Sequence, residues 1–211
     1  MTNSVPDYGY DNADAAHAAS YLWPRLRKII ESLDLRECNV FEIGSGNGAI
    51  AAEIERIGLT VTGIDPSETG VSQASVTASR NSFFVRSIDD DLSLEFGKFP
   101  LVLSLEVLEH CYSPARFMRV GSELLEDEGY LIISTPFHGY IKNLALAIFN
   151  RFDSHWSPLW EGGHIKFWSI RSLSELLETN GFEVLKFYRV GRIPPLAKSM
   201  IVVARKNLDT S

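Results

Sequence analysis

The strongest constraint on this chain is a cluster of glycines caught between two differently patterned segments. Asn39 to Ile43 is short and mostly apolar, as a strand buried in a sheet is, whereas Ile50, Ile54 and Ile57 recur at i, i+4 and i+7, which marks one face of a helix. Between them lies Gly44-Ser45-Gly46-Asn47-Gly48. A Cβ in a tight strand-to-helix turn blocks either the turn or a ligand, so glycines here let the backbone approach a bound group. The spacing predicts a strand, a ligand-approaching loop, and a helix from Ala49 to a stop at Gly58.

The same alternation runs through most of the chain. Strands are expected at Thr60 to Ile64, Ser82 to Arg86, Leu101 to Leu105 and Tyr130 to Ser134, with a closing pair at Glu183 to Val190 and Ser199 to Arg205. Helices are expected at Glu68 to Arg80, from Ser113-Pro114 to about Leu125, and at Ser169 to Thr179 with Gly181 as its stop. Strands alternating with helices give a parallel α/β sheet joined by crossovers. Leu22, Leu26, Ile29 and Ile30, with Trp23, repeat at helical spacing and predict an N-terminal helix packed on that sheet. The pattern lapses from Phe137 to Trp168, where aromatic clusters alternate with His138, His155 and His164, and only Asn143 to Phe152 reads as helical. Long insertions in compact domains are usually lids or binding loops. The expectation is one domain over 1–211, with 1–36 a helical cover and 137–168 an insertion covering the substrate.

Composition narrows the partners. The 20 Lys+Arg against 27 Asp+Glu give a net charge of −7, which disfavours a nucleic-acid binder that neutralises phosphates and fits a small-molecule acceptor better. No apolar stretch nears the roughly 18 residues that span a bilayer. Met1 to Asp11 is polar, and two cysteines, Cys38 and Cys111, form no disulfide framework, so a cytoplasmic location is expected. Nothing in the sequence fixes an oligomeric state.

The glycine loop alone leaves the ligand open. Gly44, Gly46 and Ala49 satisfy the dinucleotide pattern G-x-G-x-x-A, and Asp65, 21 residues after Gly44, stands where an acid accepts ribose hydroxyls. Any adenosine cofactor predicts that much. Two further segments carry a resemblance. The E-x-G-x-G-x-G run of Glu42, Gly44, Gly46 and Gly48 resembles motif I of class I S-adenosylmethionine-dependent methyltransferases, and Glu106-Val107-Leu108-Glu109-His110 looks like the E-V-L-E-H segment of the ubiquinone-biosynthesis type of O-methyltransferase. Gly63-Ile64-Asp65-Pro66-Ser67, Ser134-Thr135-Pro136 and Gly163-His164-Ile165-Lys166 extend the likeness from about Tyr8 to Lys206.

The resemblance implies a Rossmann-like fold of seven strands, mostly parallel, with helices on both faces and the last strand antiparallel. It implies S-adenosylmethionine as cofactor and a small-molecule hydroxyl as acceptor. By carry-over, Glu42, Gly44, Ser45, Gly46 and Gly48 line the methionine part, while Asp65, with Pro66 and Ser67, holds the ribose. Ser87, Ile88 and Asp89 flank the adenine, Leu105 and Glu106 lie near the sulfonium, and Tyr8 and Tyr10 close over it. This chain has Ser87-Ile88-Asp89 where the family often has G-D-A.

Glu106, Glu109 and His110 are a hard-oxygen and imidazole set suited to Mg²⁺ or another divalent cation that would orient and acidify a hydroxyl, and the resemblance implies His164 as the later histidine that joins them. Without a metal, His164, His110 or His138 would take the proton. Solvated or second-shell roles stand beside both readings. Cys111 is expected to be a small core residue, Asp89-Asp90-Asp91 a solvated loop, and the aromatic residues of 137–168 either a stacking wall or the insertion's own core. Terminal 2′-O-methylation of RNA, a nicotinamide oxidoreductase and a non-catalytic cofactor-fold module are the alternatives.

Overall fold

The computed structural model describes residues 14–35, 38–78, 80–156, 159 and 163–208. Its strands are β1 (Asn39–Ile43), β2 (Thr60–Asp65), β3 (Ser82–Val85), β4 (Phe99–Leu105), β5 (Leu125–Pro136), β6 (Phe182–Val190) and β7 (Ser199–Lys206). They form one seven-stranded sheet in the order β3-β2-β1-β4-β5-β7-β6. All pairings among β1 to β5 are parallel, and β7 alone runs antiparallel to both of its neighbours. This is the Rossmann-like sheet expected from the sequence.

Successive residues of the central strands face opposite sides of the sheet, which is why their sequences are apolar without alternation. Val40, Leu101, Leu103 and Ile132 enter one core, together with Leu22, Leu26, Ile29 and Ile30 of α1 (Asp14–Ser32) and Ile50, Ala51 and Ile54 of α2 (Ala49–Arg56). Phe41, Val102, Leu131 and Ile133 enter the other. That second core is closed by α4 (Leu92–Phe96), α5 (Pro114–Glu123) and α8 (Ile170–Thr179) through Leu92, Phe117, Met118, Leu173 and Leu177. Burying each such Leu or Phe stabilises by roughly 1.5–3 kcal/mol. The third helix, α3 (Glu68–Thr77), starts at Ser67, whose hydroxyl accepts the Gly70 N–H at 3.1 Å.

Over its described part the 1–36 segment is the helix expected to pack on the sheet, with Leu22, Leu26, Ile29 and Ile30 in the core. Several boundaries differ from expectation for identifiable reasons. A second strand half precedes Tyr130, because polar Glu126, Asp127 and Glu128 remain in β5 on exposed ground and hide it from a hydrophobicity reading. The short α4 offers too few turns for a periodic signal. Within the insertion, the single helix expected from Asn143 to Phe152 is two helices, α6 (Tyr140–Ile148) and α7 (Phe152–Trp156). Asn150, at φ 51°, separates them, and Asn tolerates that left-handed conformation better than most residues. Ser113 precedes α5 as expected, but its side chain makes no capping bond.

The chain winds outward from β1 to β3 and then returns to β4, so the sheet's switch point lies between β1 and β4. Ligands of such sheets bind beyond the strands' C-terminal ends at that point. Glu42, Gly44, Asp65, Glu106 and Thr135 all lie at those ends.

Two glycines separate crowding from backbone strain. At Gly48, φ 77°, a Cβ would stand 2.8 Å from the Ala74 Cα, whereas at Gly58, φ 92°, it would meet nothing within 4 Å. Gly58→Ala is expected to cost about 1–2 kcal/mol from left-handed backbone alone. Gly48→Ala should cost clearly more, because α2 and α3 must also part; equal losses in urea unfolding would refute the close approach.

Candidate active site

The glycine loop spends its amides on the protein. Gly44 and Ser45 N–H groups both donate to the Ile64 carbonyl, at 2.8 and 2.9 Å. The Gly46 N–H donates to Asp65 Oδ2 and the Ser67 N–H to Oδ1, each at 2.9 Å. Asp65 is only 4% exposed, and its orientation is set by these two bonds. The carboxylate thus sits at the switch point with its direction fixed by backbone amides. The loop therefore acts by aiming an acid rather than by offering N–H groups to the ligand.

Beside Asp65, Glu42 is buried at the end of β1 and its Oε2 has no hydrogen-bond partner. Burial, reinforced by the Asp65 charge, pushes its carboxyl up to about 8. The Ser45 hydroxyl next to it is also buried without a partner. An unsatisfied buried acid and hydroxyl over a glycine turn form a donor set suited to an ammonium and a sugar, the polar ends of S-adenosylmethionine.

At the end of β4, Glu106 adopts φ 56°, a conformation uncommon for a residue other than glycine. Its carboxylate explains how that conformation is held. Ser134 Oγ donates to Oε1 at 2.7 Å, Ser199 Oγ donates to Oε2 at 3.1 Å, and the Tyr21 hydroxyl lies 3.1 Å from Ser199 Oγ. Burial raises Glu106 to about 7 against the pull of these two hydroxyls. Burial and the Glu106 charge raise Tyr21 to about 12. Tyr21 and Ser199 are site residues that the sequence did not reveal, since neither belongs to a local motif and Ser199 is 93 residues from Glu106.

The remaining acceptor-side groups come from the 3₁₀ turn Leu108–His110 and the insertion. Glu109, His110 and His164 each offer a ligand atom within 4.8 Å of the others, and Glu106 is not part of that group. Glu109 is 1% exposed, its Oε1 lies 3.9 Å from His164 Nε2, and burial followed by the Glu106 charge pushes it well above the carboxylate range. Its carbonyl accepts the Ile165 and Lys166 N–H groups at 2.9 and 3.0 Å, which fastens the segment bearing His164. Burial, then the neighbouring His110, lowers His164 to about 4. His138 is likewise lowered to about 4 by burial and Lys142, against the opposing pull of Asn143.

The aromatic residues of the insertion divide. Phe152 stacks on Trp156 at 4.4 Å, Trp156 meets Phe167 at 5.1 Å, and Phe167 meets His138 edge-on at 5.0 Å. Tyr140 and Phe149 point outward, 81% and 71% exposed, while Trp168 belongs to the core. The Trp156 indole N–H is buried without a partner. The result is a wall of rings with an unsatisfied indole N–H.

Other expected site residues take structural work. Ser67 caps α3, and Pro66 is exposed beside it. Ser87 Oγ accepts the Asp89 N–H at 3.3 Å, Ile88 packs on the core's edge, and the Asp89 carboxylate pairs with Arg116 at 2.7 Å. Leu105 is half-buried against the α1 side of the sheet. Cys111 is buried, and burial with Glu109 raises its thiol to about 12, which leaves no nucleophile there. Tyr8 and Tyr10 lie outside the described residues. Among the described residues, no helix is long and apolar enough to cross a membrane.

Comparison with known proteins places this geometry. The methyltransferase domain family matches residues 12–186, and the chain belongs to it. The ubiquinone biosynthesis O-methyltransferase of Bartonella tribocorum is 26% identical over 150 residues, covering 69% of this chain and 60% of that protein. Its namesake from Rhizobium leguminosarum bv. trifolii is 30% identical over 154 residues, covering 71% and 61%. The chain thus spans about 60% of the length of these curated relatives. Among solved structures, magnesium protoporphyrin IX methyltransferase from Synechocystis with bound SAH superposes with a TM-score of 0.70 at 18% identity, covering 92% of this chain and 84% of that one. At that identity the likeness is one of fold.

The protonation of Glu42 has a measurable sign. Between its ordinary 4.5 and about 8, the folded chain holds one proton more than the unfolded chain, so this group's contribution to stability falls as pH rises. Glu42→Gln removes that dependence. Its melting temperature relative to the parent should rise from about pH 5 to about pH 8; a constant difference would refute the buried, neutral acid.

Proposed function

We propose that the protein transfers a methyl group from S-adenosylmethionine to the hydroxyl of a small molecule. The observation that carries this reading is the buried pair of acids at the switch point, with Asp65 aimed by two backbone bonds and Glu42 Oε2 left without a partner. Asp65 accepts the ribose hydroxyls, and Glu42 with Ser45 takes the polar methionine end. Bound there, S-adenosylmethionine supplies an electrophilic methyl group on a sulfonium, next to Glu106. The protein's part is orientation of the acceptor and exclusion of water. The aromatic wall of Phe152, Trp156 and Phe167 supports a flat or apolar acceptor, such as a phenolic or isoprenoid hydroxyl, and the names of the curated relatives support oxygen as the methylated atom.

Asp65→Ala should weaken SAH binding by roughly 1.5–3 kcal/mol, the worth of a hydrogen bond to a charged group, and should also lower the melting temperature, because the Gly46 and Ser67 N–H groups lose their acceptor. Calorimetry with S-adenosylmethionine, SAH, NAD and NADP decides the cofactor. Preference for a nicotinamide cofactor would overturn the reading, and binding of none would favour a non-catalytic module.

A second inference concerns Glu109, His110 and His164, whose ligand atoms cluster within 4.8 Å of one another and fit a divalent cation. Such an ion would fix an acceptor oxygen near Glu106. Once an acceptor is found, EDTA should abolish turnover and Mg²⁺ should restore it; indifference to both would leave these residues as a hydrogen-bonding set.

A further inference from the structure

Glu106, at the end of β4, has both oxygens engaged by Ser134 and Ser199. A phenolic hydroxyl ionises near pH 10, so removing its proton requires something that favours the anion. The cation in the right place is Lys142, on the first turn of α6. Its Nζ donates to the Phe137 carbonyl at 3.0 Å, just beyond the end of β5. An ammonium has three N–H donors. Lys142 enters none of the ion pairs formed among the described residues, although it is half-buried. The groups that feel its charge are Glu106, His138, His155 and His164, with Arg192 as the other cation nearby.

We propose that Lys142 binds the acceptor oxygen in its ionised form, so that the group presented to the methyl donor is an oxyanion of the phenolate type. The inference rests on the methyltransferase reading and adds the charge state of the acceptor and the residue that sets it. The acceptor's proton passes to water as the oxygen comes to rest on the ammonium. In the transfer, an oxygen lone pair forms the bond to the methyl carbon while the carbon–sulfur bond breaks with its pair left on sulfur. Anion and sulfonium become a neutral ether and a neutral thioether. Lys142 keeps its protons throughout, and its attraction is strongest for the oxyanion before the charge disappears. The role of the ammonium is therefore to raise the population of the reactive form and to hold it in line, rather than to stabilise charge developing later. Burial and Arg192 both press against the charged ammonium, and an anionic partner relieves both.

The test uses 4-nitrocatechol, whose absorbance reports its ionisation, bound to the protein–SAH complex in EDTA so that no divalent cation contributes. In the wild type, bound probe should ionise at a pH about one to three units below that of free probe, as expected for an anion within a few ångströms of a cation. Lys142→Met and Lys142→Gln should each abolish the shift while retaining SAH affinity, and Lys142→Arg should keep its sign. Arg192→Met should leave it largely intact. The proposal is overturned if wild-type probe shows no downward shift, if the probe does not bind while SAH does, if either neutral Lys142 variant that still binds SAH keeps the shift, or if Arg192→Met alone removes it. Failure of SAH itself to bind would instead strike the methyltransferase reading.

Discussion

The Asp65 carboxylate ties the glycine loop to the end of β2, and the cofactor half of the site takes its shape from that tie. One oxygen is held by the Gly46 N–H and the other by the Ser67 N–H. The loop must turn through left-handed backbone at Gly44, Gly46 and Gly48 to bring the first of these amides into place. Ser67, in turn, is fixed because it caps α3. A side chain that would otherwise be a costly buried charge thus becomes the point where β1, β2, α2 and α3 are locked together.

The acceptor half is built on a different balance. Three carboxylates, Glu42, Glu106 and Glu109, are buried within the C-terminal rim of the sheet, and each is pushed upward by burial. Of these, Glu106 is satisfied by Ser134 and Ser199. Facing them are imidazoles whose protonation burial opposes, and one half-buried ammonium. Buried acids and a half-buried cation thus share one rim of the sheet, and under the proposed function a sulfonium cofactor with an ammonium at one end and an acceptor with an acidic hydroxyl would complement them.

The sequence disclosed the parts of this arrangement that depend on neighbours along the chain. The loop, the strand before it, the helix after it and the acid 21 residues beyond Gly44 follow from turn geometry and from the strand–helix repeat. The cluster of Glu109, His110 and His164 was approached through resemblance, not through spacing. What stayed hidden depends on distant approach. Nothing near Ser199 or Tyr21 marks them as holding Glu106, because that contact exists only once β7 has inserted between β5 and β6. The insertion was misdivided because Asn150 breaks a helical run that hydrophobicity alone carries onward. Lys142 looked like an ordinary cation on a helix, and its meaning arises from the carbonyl of Phe137 and the burial around it.

The distribution of satisfied and unsatisfied polar atoms also bears on how such a chain tolerates change. In the cofactor half, loop amides, Asp65 and Ser67 satisfy one another, so a substitution there disturbs folding and ligand binding together. In the insertion, the Trp156 indole N–H is buried with no partner in the protein, and α6 buries none of its side chains fully. Replacing the outward-facing side chains of α6, such as Tyr140 and Ile148, removes few contacts on which the rest of the domain relies, whereas Phe137 and Trp168, at the two ends of 137–168, belong to the core. Substitutions on that outward face of α6 are therefore cheap in stability, while those in the core or at the rim of the sheet are not.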